Sequence, residues 1–219
     1  MLDLLDTAHL VIGLTPLVIY LLVLSAVNLL TRPVMVSGTR DLAALAAGLS
    51  GLVMIGPVLL FTSPDILARL GPYYWLLLVL LYASSVSLWI LFLRPRLVVY
   101  NISGEQLRGI VNEIALRIDP ASRWAGNALE MPQAGLLLKL DVLGVFGNVS
   151  LIADSDPINF ASWKRLSAEL SAALAHVRVM RNPRGVTIGM LGMVLGAYLI
   201  VRWSQDVQAA DGFIRFLGL

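Results

Sequence analysis

The segment Tyr73–Leu93, YYWLLLVLLYASSVSLWILFL, contains no Asp, Glu, Lys or Arg. A helix needs about 20 predominantly apolar residues to cross the hydrocarbon core of a bilayer, which is about 30 Å thick. Three further segments are free of charge in the same way, and they run from Ala8 to Leu30, from Leu42 to Phe61 and from Val186 to about Val201. The sequence therefore predicts four transmembrane helices.

The composition of the whole chain is typical of a membrane protein. Of its 219 residues, 58% are hydrophobic and 14% are charged, whereas a soluble domain has roughly 45–50% apolar and about 25% charged residues. The chain has no cysteine, which excludes disulfides, thiol catalysis and iron–sulfur clusters. The net charge of +2 is too small to indicate nucleic-acid binding. The excess of Ala, Leu and Arg over Lys favours a bacterium with a GC-rich genome.

Residues 94–184 differ from the rest of the chain because charged residues return and the apolar residues become periodic. This length is sufficient for a modest hydrophobic core, so we expect a water-soluble α+β domain here. The chain is thus predicted to have three parts. Residues 1–93 hold the first three transmembrane helices, residues 94–184 form the inserted domain, and residues 185–219 hold the fourth helix and a short tail.

The inserted domain is predicted to have the order β-α-β-β-β-α. Leu97–Tyr100 has the composition of a short strand, and Ser103 and Gln106 have the spacing of a capping box before a helix that ends at Pro120. Three strands are expected next: Arg123 to Glu130, Gly135 to Val142 and Val145 to Ala153. The turns between them fall at 131–134 and 143–144. Asp156-Pro157 then resembles the start of a second helix, and both helices are expected on one face of the sheet.

Arginine placement near the span ends predicts the orientation. Seven arginines fall on one side of the predicted membrane: Arg32, Arg40, Arg94, Arg96, Arg178, Arg181 and Arg184. The other side has fewer arginines and several aspartates: Arg69, Arg202, Arg215, Asp3, Asp6, Asp65, Asp206 and Asp211. Because basic residues are enriched on the cytoplasmic side, we expect a multi-pass protein of the bacterial inner membrane. Its two termini are predicted outside and residues 94–184 in the cytoplasm.

The fourth predicted span carries a stripe of glycines at steps of four, three and four residues: Gly185, Gly189, Gly192 and Gly196. Small residues at this spacing lie on one face of a helix and allow a neighbouring backbone to approach closely. The second span offers a similar small-residue face: Ala44, Ala47, Gly48 and Gly51. We therefore predict that the glycine stripe is a helix-packing interface, either with this face of the second span or with another subunit.

Two other sets of residues are candidates for contact with partners or lipid. Apolar side chains in the C-terminal tail form a predicted partner contact: Phe213, Ile214, Phe216 and Leu217. Four of the arginines are candidates for contact with anionic lipid headgroups, although the positive-inside rule alone accounts for them: Arg94, Arg96, Arg181 and Arg184. The predicted partners are thus other membrane protein subunits and the lipid bilayer, and no nucleic acid.

Polar residues at membrane depth can indicate a cofactor site or a transport pathway. His9 is a candidate ligand of haem iron or chlorin magnesium, but one histidine cannot supply a pair of axial ligands, so an interfacial polar residue is the preferred interpretation. Asn28, Ser84, Ser85 and Ser87 are predicted to bond to their own backbone or across helices. The spans contain no Asp, Glu, Lys or Arg and show no inverted repeat, which argues against a transporter.

The inserted domain contains no motif of a known active site. Its carboxylates have no metal-ligand spacing and are predicted to solvate a surface and to cap helices: Glu105, Glu113, Asp119, Glu130, Asp141, Asp154 and Asp156. No catalytic residue, metal or cofactor is therefore predicted. The hypothesis that follows is a non-catalytic polytopic subunit that packs into and stabilises a larger membrane complex through its spans, with a cytoplasmic docking or regulatory domain. The alternatives are a membrane-tethered small-ligand sensor and a small transporter or channel.

Overall fold

The computed structural model describes residues 7–61, 69–143 and 148–206. In chain order, its elements are α1 (Thr7–Leu29), β1 (Val34–Ser37), α2 (Gly38–Phe61), α3 (Pro72–Phe92), β2 (Arg96–Tyr100), α4 (Gly104–Ile118), β3 (Arg123–Ala125), β4 (Ala128–Met131), β5 (Leu136–Leu143), β6 (Asn148–Ala153), α5 (Phe160–Ala175) and α6 (Pro183–Gln205). They form two compact units. The helical unit comprises the described residues of Met1–Leu24, Leu42–Phe92 and Ile188–Leu219, and the α+β unit comprises those of Ser25–Asp41 and Leu93–Thr187.

Helices α1, α2, α3 and α6 are each long and apolar enough to cross a membrane. They confirm the four helices predicted from the charge-free segments. Helix α6 is longer than the predicted span, because Pro183 occupies the first helical position, where a missing N–H costs nothing. The Asn182 side chain also accepts a hydrogen bond from Arg184 N at 3.1 Å, which satisfies one of the unpaired N–H groups at the helix start.

The start of α2 also precedes the predicted span, because polar residues extend the helix toward its N-terminus. The helix begins at Gly38, and the hydroxyl of Ser37 accepts a hydrogen bond from Arg40 N at 3.4 Å. Asp41 lies in the first turn, where a negative charge interacts favourably with the helix dipole. The apolar run that starts at Leu42 therefore continues a helix that has already been capped.

The six strands form one antiparallel sheet with the spatial order β1-β2-β6-β5-β4-β3. Strands β2 and β6 pair with Val99 opposite Val149, and β6 pairs with β5 with Leu151 opposite Leu140. Residues of the strands share one buried cluster with α4 and α5, as the predicted face requires: Leu97, Val99, Leu129, Met131, Leu136, Leu138, Leu140, Val149, Leu151 and Ala153 from the sheet, with Leu107, Val111, Ile114, Leu166, Leu170 and Leu174 from the helices. The domain is therefore an α+β arrangement.

Strand β1 corrects the predicted boundary of the α+β domain. Val34–Ser37 comes from the connection between the first two spans, yet it pairs with β2 along Val34–Tyr100 to Ser37–Leu97. This strand is not predicted from the sequence. Four residues between two long apolar segments are too short a pattern to predict pairing with a distant strand. The α+β unit consequently begins before residue 94 and includes residues from the first interhelical connection.

The strand predicted from Arg123 to Glu130 is a hairpin of two shorter strands. Ala125 is opposite Ala128, and Gly126 between them has a φ of 62°, a left-handed conformation that glycine adopts without steric cost. The predicted order β-α-β-β-β-α is therefore wrong by one strand within residues 94–184. The predicted turn at 131–134 is confirmed, since residues 132–135 form a turn before β5. The turn predicted at Leu143-Gly144 extends beyond the described residues.

Helix α5 begins at Phe160, and Asn159 caps it. Its side chain oxygen accepts a hydrogen bond from Ser162 N at 3.2 Å. The start predicted at Asp156-Pro157 is therefore wrong, because Asn159 supplies an equally good cap three residues later. The capping box at Ser103 and Gln106 is confirmed at the start of α4.

Asp119 holds the connection that follows α4 in place. It has no exposed surface. Its carboxylate accepts hydrogen bonds from Ala121 N at 2.9 Å, Gln133 N at 2.8 Å and Ala134 N at 3.2 Å. The burial of this charge is offset by three backbone donors, two of which belong to the turn before β5.

Replacement of Asp119 by Ala is expected to destabilise the protein by about 2–4 kcal/mol, because three backbone N–H groups, one of them on the buried Ala134, lose their acceptor. Thermal unfolding of the full chain in detergent, followed by circular dichroism, measures this change. Asp156→Ala is the matched control, since Asp156 is exposed. Equal melting temperatures for the two variants would contradict the role given to Asp119.

Candidate functional site

Two glycines of the small-residue face of α2 pack against helix α1 in the helical unit. A Cβ atom at Gly48 would lie 2.6 Å from Cβ of Tyr20, and one at Gly51 would lie 2.5 Å from the carbonyl oxygen of Gly13. Neither distance leaves room for a larger side chain, so the two glycines permit the close approach of the helices. Ala44 and Ala47, predicted on the same face, are exposed.

The glycine stripe of α6 also faces α1. Gly185, Gly189 and Gly192 are buried and Gly196 is half-buried. A Cβ atom at Gly192 would lie 3.1 Å from Cδ2 of Leu22, and one at Gly196 would lie 3.4 Å from Cγ1 of Val18. The sequence predicted contact with α2 or with another subunit, but side chains of α1 lie against Gly192 and Gly196 in the structure.

The backbone contact at Gly51 can be tested with Gly51→Ala. We expect a loss of about 1–3 kcal/mol in unfolding free energy, because the added methyl group meets the backbone of α1 and the helices must separate. Gly56→Ala in the same helix is the control, since a Cβ atom there would meet nothing within 4 Å. This second change is expected to be neutral or to stabilise by up to about 1 kcal/mol through helix propensity.

The two measurements are thermal unfolding midpoints of the full chain in the same detergent. If Gly51→Ala melts at or above the temperature of Gly56→Ala, the close approach of α1 and α2 at this position is wrong.

Helix α3 carries the three serines predicted at membrane depth, and all of them are exposed: Ser84, Ser85 and Ser87. The Ser85 hydroxyl donates to its own backbone at Leu81 O, 2.8 Å away. Tyr82 of α3 donates a hydrogen bond to Ala46 O of α2 at 2.6 Å. Beside this bond lies an apolar groove of about 340 Å³ between α2 and α3. Its lining includes Leu45, Leu49, Val53, Val86 and Trp89.

His9 lies on α1 and is half-buried. The other histidine, His176, is the exposed C-cap residue of α5. Within residues 7–61, 69–143 and 148–206, no three His, Cys, Asp or Glu side chains form a group that could hold a metal ion. An interfacial polar role for His9 stays the prediction of the sequence, with ligation of a haem or chlorin as its weaker alternative. The predicted partner contact at Phe213, Ile214, Phe216 and Leu217 lies outside these residues.

The carbonyl groups at the C-terminal end of α1 are bound by residues from two distant parts of the chain. Asn182 N donates to Asn28 O at 3.2 Å, and Val179 N donates to Thr31 O at 3.0 Å. The side-chain amide of Asn101, at the end of β2, donates to Leu30 O. Asn28 O is one of the last carbonyls of α1, which have no partner within the helix, and Leu30 O and Thr31 O belong to the connection that follows it. The three bonds give each of these acceptors a donor from the protein.

Asparagines build this network, and two of them are almost completely buried. Asn28 is 0% exposed, and its side-chain oxygen accepts a bond from the Asn182 side chain at 3.4 Å. Asn101 is 4% exposed and has a φ of 60°, a left-handed conformation that asparagine tolerates better than most residues. The sequence predicts a bonding role for Asn28 but not for Asn101 or Asn182. The signal for Asn101 is an amide residue directly after a strand, a common pattern at turns.

A polar cavity of about 380 Å³ lies beside this network. Its lining combines Asn101, Ser103 and Gln106 with the loop that precedes α6. Two exposed arginines line it as well, Arg181 from that loop and Arg184 from the first turn of α6. The described lining contains no acidic residue.

The structure separates the four arginines that the sequence grouped as candidates for lipid contact. Arg94 forms an ion pair with Asp154. The Arg96 guanidinium lies 3.8 Å from the carboxylate of Asp41, which also accepts a hydrogen bond from the Tyr100 hydroxyl. Arg181 and Arg184 instead line the polar cavity. The four arginines thus have different surroundings.

Two glutamates of the α+β unit form ion pairs on its surface. Glu130 forms an ion pair with Arg123 at 2.8 Å across the β3–β4 hairpin, and this bond raises the pKa of the Arg123 guanidinium further above its ordinary value. Glu169 pairs with Arg165 one helical turn away at 3.2 Å. The indole N–H of Trp124 donates a hydrogen bond to the side-chain oxygen of Asn112 at 3.0 Å. The Arg108 guanidinium stacks over the Trp124 ring, 4.5 Å from the ring centre.

Comparison with protein-family models, with curated proteins and with solved structures gives no match to this chain.

Asn101→Gly tests the network at the end of α1. Glycine keeps the left-handed backbone of residue 101 but removes the donor to Leu30 O, so we expect a loss of about 1–3 kcal/mol in unfolding free energy. Asn101→Leu is expected to lose more, because a bulky side chain also strains this backbone conformation. Thermal unfolding of the full chain in detergent compares the two variants with the wild type. A wild-type melting temperature for Asn101→Gly would show that the amide bond contributes nothing.

Proposed function

We propose that this chain is a non-catalytic polytopic subunit that packs into a larger membrane protein complex and stabilises it. In this proposal the four spans provide the packing surfaces. The α+β unit lies on the cytoplasmic side of the inner membrane, where it serves as a docking or regulatory domain. The arginine distribution supports that orientation.

The observation that carries the proposal is a small polar face at the middle of α3. Ala83, Ser84 and Ser87 are exposed and lie on one side of the helix. Among the residues that the structure describes, neither the Ser84 nor the Ser87 hydroxyl forms a hydrogen bond. Small residues and hydroxyls inside a bilayer favour contact with a neighbouring helix, because they allow close approach and interhelical hydrogen bonds.

The surroundings of α3 support the same interpretation. None of the residues in its apolar window is buried within the chain. Helix α3 therefore has free surface on the side of the two serines, where a helix of another subunit can pack. Ala44 and Ala47 of α2 provide a second exposed small-residue face.

The experiment is native mass analysis of the endogenous protein after extraction from its own membrane in a mild detergent. The proposal predicts a discrete complex much larger than the 23.8 kDa chain, with other subunits identified by mass spectrometry. Ser84→Leu combined with Ser87→Leu is expected to reduce the amount of this complex at least tenfold, because the larger side chains prevent close helix approach.

Ala197→Leu on α6 is the matched control, since it adds a similar bulk at another exposed position of a span. It is expected to leave the complex intact. A wild-type protein that elutes alone or as a small homo-oligomer would overturn the proposal. A complex that survives the double serine substitution unchanged would exclude α3 as the packing surface.

A further inference from the structure

The groove between α2 and α3 is an apolar pocket that contains two hydroxyl groups. Its volume of about 340 Å³ lies near the lower end of the roughly 300–1,000 Å³ found for small-molecule sites. Aliphatic side chains of both helices form most of its described lining, and the two hydroxyl groups belong to Tyr82 and Ser85 of α3. A molecule that fits this groove is therefore mainly apolar and has a small polar part.

Both hydroxyl groups have already donated their hydrogen atoms. Tyr82 donates to Ala46 O at 2.6 Å, and Ser85 donates to Leu81 O at 2.8 Å. A hydroxyl oxygen also has two lone pairs that can accept hydrogen bonds. Neither oxygen accepts a bond from any residue that the structure describes. The two groups can therefore bind a ligand that supplies a donor without losing the bonds that they already form.

Contacts between the two helices hold the walls of the groove in place. The bond from Tyr82 to Ala46 O joins α3 to α2 at the groove itself. Farther along the same helices, Trp75 and Leu78 of α3 pack against the buried Ile55 of α2. A groove with fixed walls loses little conformational freedom when a ligand binds, which lowers the entropic cost of binding.

The two acceptors lie deep in the predicted span. Tyr82 is the middle residue of α3, Pro72–Phe92, and Ser85 lies about 10 Å from its end at Phe92, at a rise of about 1.5 Å per residue. The hydrocarbon core of a bilayer is about 30 Å thick. Phospholipid headgroups stay outside this depth, and acyl chains have no hydrogen-bond donor. The ligand that satisfies these acceptors is therefore uncharged and carries its donor into the apolar region.

The side of α3 that lines the groove differs from the side assigned to another subunit. Its lining residues recur at positions i, i+3, i+4 and i+7, which share one face of a helix: Tyr82, Ser85, Val86 and Trp89. At 3.6 residues per turn, Ser84 and Ser87 point to the opposite side. A neighbouring helix that packs at Ser84 and Ser87 thus leaves the groove open.

We propose that this groove binds an uncharged apolar alcohol. The hydroxyl group of the ligand donates a hydrogen bond to Ser85 Oγ, close to the Tyr82 hydroxyl. Its hydrocarbon part contacts Leu45, Leu49 and Val53. This ligand site is separate from the proposed role in a complex and requires no other subunit.

The test uses the purified full chain in a neutral detergent without hydroxyl groups, such as an amine oxide. Thermal unfolding is followed at increasing concentrations of 1-dodecanol and of dodecyl methyl ether, which has the same chain but no donor. We expect both to raise the unfolding midpoint in a saturable way. The alcohol is expected to act at a concentration about three- to tenfold lower, which corresponds to one hydrogen bond.

Ser85→Ala removes the acceptor and is expected to weaken the apparent affinity for dodecanol about three- to tenfold. Its affinity for the ether is expected to change less than twofold. Ser84→Ala is the matched control, because it removes an exposed hydroxyl from the other side of the same helix, and it is expected to leave both affinities within twofold. Ser85→Thr keeps a hydroxyl and is expected to retain the preference for the alcohol.

Leu45→Trp locates the site, since its larger side chain occupies part of the groove. Leu45 is 38% exposed, and the ligand-free unfolding midpoint shows whether the variant folds. We expect this variant to lose the stabilisation by both probes.

Three results would overturn the proposal: equal affinity of the wild type for alcohol and ether, equal losses in Ser84→Ala and Ser85→Ala, or an unchanged response to dodecanol in folded Leu45→Trp. The native mass experiment can fail without affecting these measurements, because they use the isolated chain.

Discussion

The hydrogen-bonding requirement at the C-terminal end of α1 organises the α+β unit. A helix leaves its last carbonyl groups without partners, and they are costly to bury unless other groups donate to them. Here Asn182 N donates to Asn28 O in the last turn of α1, and Val179 N and the Asn101 side chain donate to Thr31 O and Leu30 O just after it. These bonds bring together the end of β2 and the loop before α6, which are separated by most of the inserted domain. The polar cavity with its two arginines results directly from that arrangement.

Within the helical unit, the corresponding constraint is the distance to which two helices can approach. Lipid tails are as apolar as helix surfaces, so burial of apolar side chains provides little driving force for contact between helices. Close packing then depends on small residues. Gly48 and Gly51 of α2 face Tyr20 and Gly13 of α1, while Gly192 of α6 faces Leu22 of the same helix. Helix α1 is thus the common neighbour of both small-residue faces. The small residues of helix α3 are instead exposed, which is the basis for proposing another subunit beside it.

Sequence pattern predicts an element correctly when the residues that fix it are close together in the chain. The capping box at Ser103 and Gln106 is one such case, since the two residues bond to each other. The predicted start of α5 was wrong because Asp156 and Asn159 are both good N-cap residues, and sequence pattern does not choose between them. Strand β1 was missed because its stability comes from β2, which is more than fifty residues away in the chain. Among the residues of the candidate site, the sequence pointed to Arg181, Arg184 and Asn28. It did not point to Asn101 or Asn182.

The sequence by itself determined the four apolar helices and the α+β character of the insert. Bilayer thickness and helical or strand periodicity are properties of consecutive residues, so composition and spacing are sufficient. Only the tertiary structure decided that the glycine stripe meets α1, that Arg94 and Arg96 are paired with acids, and that Arg181 and Arg184 line a cavity. These outcomes depend on which distant donors and acceptors meet. The physical reason is that identical residue types in a sequence acquire different partners only when the chain has folded.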